Sequence, residues 1–104
     1  MKNVCIVGYG AIGPIHAAAL EKIDEANFYA VCDCDESRIL RCLKKYDVVS
    51  YSNFSAMLDD ANIDTVHICT PHYLHYEMVK LALEKGKEVV CEKPIAMKEE
   101  EFKK

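Results

Sequence analysis

Five short apolar runs, separated by segments of helical spacing, set the tightest limit on what this chain can fold into. The runs are Asn3–Gly8 (NVCIVG), Phe28–Asp33 (FYAVCD), Val48–Ser52 (VVSYS), Asp64–Thr70 (DTVHICT) and Glu88–Glu92 (EVVCE). Between them lie Ala11–Ile23, Glu36–Tyr46, Ser55–Asp60 and His72–Gly86, which read as helices, the third capped by Ser52 or Asn53 and the last stopped by its glycine. KEEEFKK, residues 98–104, reads as the opening of a further helix. Apolar strands joined by helices of this length pair in parallel through right-handed crossovers. Strands that are apolar on both faces are covered on both faces. The expectation is therefore an α/β fold: a doubly wound parallel sheet of about five strands with helices on both faces, in a single domain over residues 1–104.

The 104 residues are enough for one small domain, and 51% of them are apolar, which allows a packed core. The net charge is −4 with acid and base mixed along the chain, so nothing resembles the basic stripe of a nucleic-acid binder. No apolar run approaches the ~20 residues of a membrane span. The apolar start of the chain is broken by Gly8 and Gly10, so a signal peptide is not expected and a cytoplasmic location is. Six cysteines are present, none in a C-x-x-C pair. Cys5, Cys32, Cys69 and Cys91 fall inside strand-like runs, where a free thiol behaves as a small hydrophobe. Reduced core cysteines are expected, with no metal and no disulfide, and Cys34 is the one candidate for redox reactivity.

The first strand runs into Gly8-Tyr9-Gly10-Ala11-Ile12-Gly13, a G-x-G-x-x-G at a strand-to-helix junction. Gly8 permits a tight turn, Gly10 lets the backbone approach a pyrophosphate, and Gly13 lets the helix pack close to the sheet. The helix start then offers free N–H groups and partial positive charge to the phosphates. Asp33 closes the next strand, twenty residues past Gly13, where a carboxylate accepts hydrogen bonds from ribose hydroxyls. The pattern reads as a Rossmann-type dinucleotide site; the other reading is three structural turn glycines and a solvated aspartate. Asp33 repels a 2′-phosphate, so NAD is expected over NADP, and Arg38 nearby softens that preference. Tyr9 is either a lid over the cofactor or a packing ring.

Two further segments point at the same crevice, because ligands of such sheets lie across the carboxyl ends of the strands. Strand four runs out through Thr70-Pro71-His72, with His75 one helical turn later, and strand five through Glu92-Lys93-Pro94. His75 is either a structural helix residue or faces the cofactor. His16 and His67 read as structural and packing residues. A nucleotide or S-adenosylmethionine binder on a similar sheet would explain the glycines but not Lys93 with Pro94.

With GYGAIGPIH, AVCDCD, DTVHICTPHYLH and EKP in this order, the chain resembles the N-terminal domain of the glucose–fructose oxidoreductase/inositol dehydrogenase (Gfo/Idh/MocA) family across nearly its whole length. His72 departs from the asparagine usual in that family. The resemblance implies an NAD(P)-dependent oxidoreductase acting on sugars, polyols or similar alcohols. It implies that Lys93 is the catalytic residue, near the nicotinamide and touching the hydroxyl being oxidised. An ammonium there stabilises developing alkoxide charge, and a lysine of lowered pKa relays a proton. Glu92 would orient Lys93 or the cofactor, and Pro94 would fix the turn. The resemblance also implies a second domain that holds the substrate pocket and usually the oligomer interface. The chain is expected to lack that domain, to bind dinucleotide without turnover by itself, and to self-associate as a homo-oligomer. A stand-alone NAD-binding or sensing module is the other function class these residues allow.

Overall fold

The computed structural model describes residues 2–10, 13–70 and 72–91, with the side chains of 72–75 and 91 set aside. The elements alternate as the sequence pattern requires: β1 (Lys2–Val7), α1 (Gly13–Leu20), β2 (Ala26–Cys32), α2 (Glu36–Leu43), β3 (Val49–Tyr51), α3 (Phe54–Leu58), β4 (Thr65–Ile68), α4 (His72–Glu84) and β5 (Glu88–Cys91). All four strand pairings are parallel, and the sheet order is β3-β2-β1-β4-β5. The chain thus builds outward from β1 in one direction, then returns to β1's other side and builds outward again. The reversal lies between β1 and β4.

Alternation of side chains along each strand divides the core in two. Val4, Ile6 and Val31 pack with Ala17 and Leu20 of α1 and Cys42 of α2. On the opposite face Cys5, Val7, Ala30, Cys32, Val66 and Ile68 pack with Met57 and Leu58 of α3 and Val79 and Ala82 of α4. Helices therefore cover both faces. Burial also fixes the chemistry of the thiols. The Cys32 thiol is pushed up to about 12 by burial and then by the neighbouring Asp33 charge, and Cys5 and Cys42 are raised chiefly by burial. Groups held protonated in this way are poor nucleophiles. Cys34 is an exposed free thiol and Cys69 is half-buried. Cys91 belongs to β5, but its side chain lies outside the described residues.

Local caps set the helix bounds. The Asp35 carboxylate accepts from Ser37 N at 2.9 Å at the start of α2. Asn53, one of the two expected caps, accepts from Ala56 N at 3.0 Å at the start of α3. Gly86 takes φ +78°, and Lys87 N reaches back to Ala82 O at 3.0 Å, closing α4 in the left-handed turn that favours glycine. Some bounds differ from expectation. α1 stops at Leu20 instead of Ile23, because its buried stripe ends there and Ile23 is left exposed. β4 ends at Ile68, two residues early, so that Cys69 and Thr70 leave the sheet as a connecting segment. The helix expected over residues 98–104 lies outside the described residues.

Candidate dinucleotide site at the sheet reversal

Gly8 leaves β1 at the point where the sheet reverses. Its φ is +89°, and its N–H donates to Cys32 O at 2.8 Å. A Cβ on Gly8 would fall 2.8 Å from Thr70 Cγ2 and 3.0 Å from the Cys69 carbonyl carbon, so only glycine lets β1 and the end of β4 close on one another. Gly13 is equally constrained: its Cβ would meet Gly8 O at 2.8 Å and the Tyr9 ring at 3.1 Å. Gly10 differs from both in the room around it. Its φ is not positive, and the nearest described atoms to its would-be Cβ belong to Arg38, at an ordinary 3.6 Å. Nothing within the described chain asks for glycine there. A cradle that a Cβ would fill is what a group lying across the loop requires, and that group fits a pyrophosphate.

Asp33 sits beside this loop and is buried, with 6% of its surface exposed. One oxygen accepts from Tyr9 N at 2.8 Å and the other from Asp35 N at 2.8 Å. The carboxylate thus ties the glycine loop to the β2–α2 turn, and each oxygen keeps a lone pair for a further donor. Arg38 lies 3.8 Å from Asp33 and 3.7 Å from Asp35, half-exposed over Gly10. Of the two roles open to Tyr9, the ring takes packing, not the lid. It is buried in the core under α1 and α2, where its hydroxyl meets the Cys42 thiol and is pushed up to about 12, first by burial. Arg41, which the sequence reading passed over, donates from Nη2 to Tyr9 O at 2.6 Å and reaches Gly10 O at 3.4 Å. Its position three residues beyond Arg38, on the same face of α2, was the available signal.

At the other side of the reversal, Cys69 N donates to Val7 O at 2.8 Å and Thr70 Oγ1 contacts Met78 Sδ at 3.3 Å, which seats the β4 exit against Gly8. His72 and His75 lie on α4, but their side chains are outside the described residues, as are Ala11, Ile12, Pro71, Glu92, Lys93 and Pro94 altogether. His16 and His67 do meet one another: their Nδ1 atoms are 2.9 Å apart and their rings are edge-on at 5.1 Å. The His67 imidazole is pushed down to about 4 by burial and then by His16 beside it. This pair joins α1 to β4 and is the packing feature expected of both residues. Among the described residues no group of three or more His, Cys, Asp or Glu could hold a metal ion.

A family model described as an oxidoreductase family with an NAD-binding Rossmann fold matches residues 2–104. The chain belongs to this family. Over 96 residues it is 36% identical to the myo-inositol 2-dehydrogenase of Thermotoga maritima, covering 91% of this chain and 29% of that protein. The D-glucoside 3-dehydrogenase of Escherichia coli is also 36% identical, over 101 residues, with 95% and 29% covered. Among solved structures, the scyllo-inositol dehydrogenase of Lactobacillus casei with bound NAD(H) and scyllo-inositol superposes with a TM-score of 0.88 at 31% identity, covering 99% of this chain and 31% of that one. The chain thus spans about three tenths of the length of these relatives. Membership makes it an NAD-binding Rossmann domain, in keeping with the cradle at Gly10 and the carboxylate at Asp33. No helix of the described residues is long and apolar enough to cross a membrane.

Proposed function

We propose that this chain is the dinucleotide-binding domain, over residues 1–104, of an oxidoreductase that moves a hydride between a nicotinamide cofactor and a hydroxyl carbon of a sugar, polyol or related alcohol. The observation that carries the reading is Gly10: a glycine without a cause among the described residues, set between two that have one, at the reversal of a parallel sheet. In this reading Gly8, Gly10 and Gly13 shape the loop, and the start of α1, with Ala11 and Ile12 before it, offers N–H groups to the pyrophosphate. Asp33 takes the ribose hydroxyls. Arg38, half-exposed beside it, moderates the discrimination against a 2′-phosphate. Thr70, Pro71, His72 and His75 border the nicotinamide half from the β4 side.

When bound, the nicotinamide supplies the hydride acceptor or donor. Lys93 is the catalytic residue: its ammonium faces the substrate oxygen, stabilises alkoxide character and passes the proton. Glu92 orients that lysine and Pro94 aims it. The substrate pocket belongs to a further domain such as the relatives' greater length accommodates. One acid–base group contributes only about 10²–10⁴-fold, whereas holding a substrate in reactive geometry is worth roughly 7–11 kcal/mol, so these residues alone bind cofactor without turning over alcohol. A cytoplasmic place and self-association along β5, whose Val90 is exposed, complete the reading.

The test is titration of the 104-residue chain with NADH and NADPH, followed by nicotinamide fluorescence. NADH binds more tightly. Binding of neither overturns the reading, and a tenfold preference for NADPH overturns the role of Asp33. A screen of sugars and polyols with NAD, beside a Lys93→Ala control, should give no turnover. Robust turnover lost in the control would place a complete active site within these residues. Light scattering that shows a strict monomer at high concentration would remove the association.

A further inference from the structure

We propose that Arg41 is a positioning residue for dinucleotide binding, holding the glycine loop in its phosphate-binding shape by gripping the carbonyls of Tyr9 and Gly10. This rests on the reading of that loop as the dinucleotide site. Arg41 lies in the last turn of α2, 32 residues from Tyr9, and spans that distance with one guanidinium. Nη2 lies 2.6 Å from Tyr9 O and 3.4 Å from Gly10 O, and the guanidinium carbon sits 5.7 Å from the centre of the Tyr9 ring. Three contacts thus fall on two adjacent residues.

The consequence follows from peptide planarity. In a trans peptide the C=O and the following N–H point in opposite directions. Fixing Tyr9 C=O toward α2 therefore fixes Gly10 N–H away from α2. Tyr9 N–H is already committed to Asp33 at 2.8 Å. The Tyr9 ring is buried against Cys42, the next residue of α2. Tyr9 is then held at its N–H and its C=O from the β2–α2 side and at its ring by the core under α1 and α2, and the Gly10 peptide is the next link of the loop. Arg41 supplies its anchor. Without a Cβ, Gly10 has the widest backbone freedom of any residue, so an unanchored loop would lose its shape at the residue where close approach is needed. A charge-assisted bond from a planar guanidinium is the contact suited to hold it.

Arg41→Ala, Arg41→Gln and Arg41→Lys in the 104-residue chain test this. In the cofactor-free chain, the backbone order parameter of Gly10 should fall in Arg41→Ala from about 0.85 toward 0.6, while those of β1 and β4 hold. NADH and ADP affinity should fall roughly 10- to 100-fold, the loss of a hydrogen bond to a charged group, and adenosine affinity by less than about twofold. Arg41→Lys, which keeps the charge and one donor, should recover part of the loss, and Arg41→Gln little of it. If Arg41→Ala does not fold, the Gly10 order parameter and the ADP-to-adenosine ratio are read in Arg41→Lys against the unaltered chain. An unchanged Gly10 order parameter overturns the proposal, even if ADP binding weakens, because that result means direct contact with phosphate. Equal weakening of ADP and adenosine overturns it as well. If NADH fails to bind the unaltered chain, the function proposed above falls, while the Gly10 measurement still decides the role of Arg41.

Discussion

At the amino end of the sheet the backbone joints, Asp64 N to Asn3 O at 2.9 Å and Glu88 N to Asp64 O at 3.0 Å, are supplemented by exposed side chains: Lys2 of β1 pairs with Glu88 of β5, Thr65 between them also bonds Glu88 at 3.1 Å, and Asn3 N is accepted by Asp64 at 2.9 Å. At the carboxyl end the joints are made by backbone and by one buried carboxylate. Gly8 N bonds Cys32 O at 2.8 Å, Cys69 N bonds Val7 O at 2.8 Å, and Asp33 accepts two backbone N–H groups. Both ends belong to the same strands, yet they differ in tolerance. Exposed ion pairs are held by long side chains that re-form or are replaced by water at small cost. The close approach at Gly8, where a Cβ would fall 2.8 Å from Thr70 Cγ2, admits no such adjustment. The closely packed carboxyl end is the one that carries the candidate site, where N–H directions and close approach matter to a ligand.

The most severe test of this contrast is Gly8→Ala. Its positive φ and the 2.8 Å approach to Thr70 should together destabilise the chain by roughly 2–5 kcal/mol, read by denaturant unfolding. A near-neutral result would show that the carboxyl end yields as easily as the amino end.

Acid separates the interior of the sheet from its amino end. The folded chain holds His67 neutral to about 4, well below its ordinary value, so the unfolded state binds more protons between those limits. Stability is full above about pH 6.5 and is lost as pH falls toward 4, by an amount of order 2 kcal/mol. The carboxylates toward the amino end behave differently. Asp60 is held low chiefly by the Tyr51 hydroxyl and Glu88 chiefly by Lys2, so their stabilisation is lost only as pH falls below the ordinary carboxylate range. His67→Phe should abolish the upper phase of an acid unfolding curve and leave the lower one. Survival of the upper phase would detach it from the histidine pair.

Gly10→Ala sharpens the comparison within the carboxyl end itself. Stability should change by less than about 1 kcal/mol, since the nearest described atoms leave room for a methyl group. NADH affinity should nevertheless fall about tenfold or more, ~1.4 kcal/mol. Unaltered affinity would mean that no ligand lies across Gly10. The smallest effect is expected from Lys2→Ala, which breaks an exposed pair at the amino end: a melting-temperature change of no more than a few degrees, and no change in NADH affinity.

Much of this was legible in the sequence because it depends on neighbours a few residues apart. Alternation of apolar strands and helices requires only periodicity, and it yielded all nine described elements in order. The strand–G-x-G-x-x-G–helix junction and the acid at the end of the next strand are local as well, which is why Gly8, Gly13 and Asp33 could be placed together at the reversal of the sheet. Boundaries were less legible. Ile23 has the right spacing for α1, but the covering surface of the sheet stops before it, and no local pattern reports that.

The sequence by itself determined that β1 leads through a glycine turn into a helix, that a carboxylate stands at the end of β2, and that the central strands are buried on both faces. Tertiary structure alone decided which groups those features meet. The order β3-β2-β1-β4-β5 brings Thr70 against Gly8 and makes one glycine obligatory from the far side of a crossover. It turns the Tyr9 ring inward, brings His16 to His67 across 51 residues, and carries Arg41 back to a loop 32 residues earlier. Periodicity encodes which face of an element is apolar, because that is a property of one helix or strand. Which polar atom on one element reaches a carbonyl on another depends on where two separately encoded elements come to rest, and that position is fixed only when the whole sheet closes.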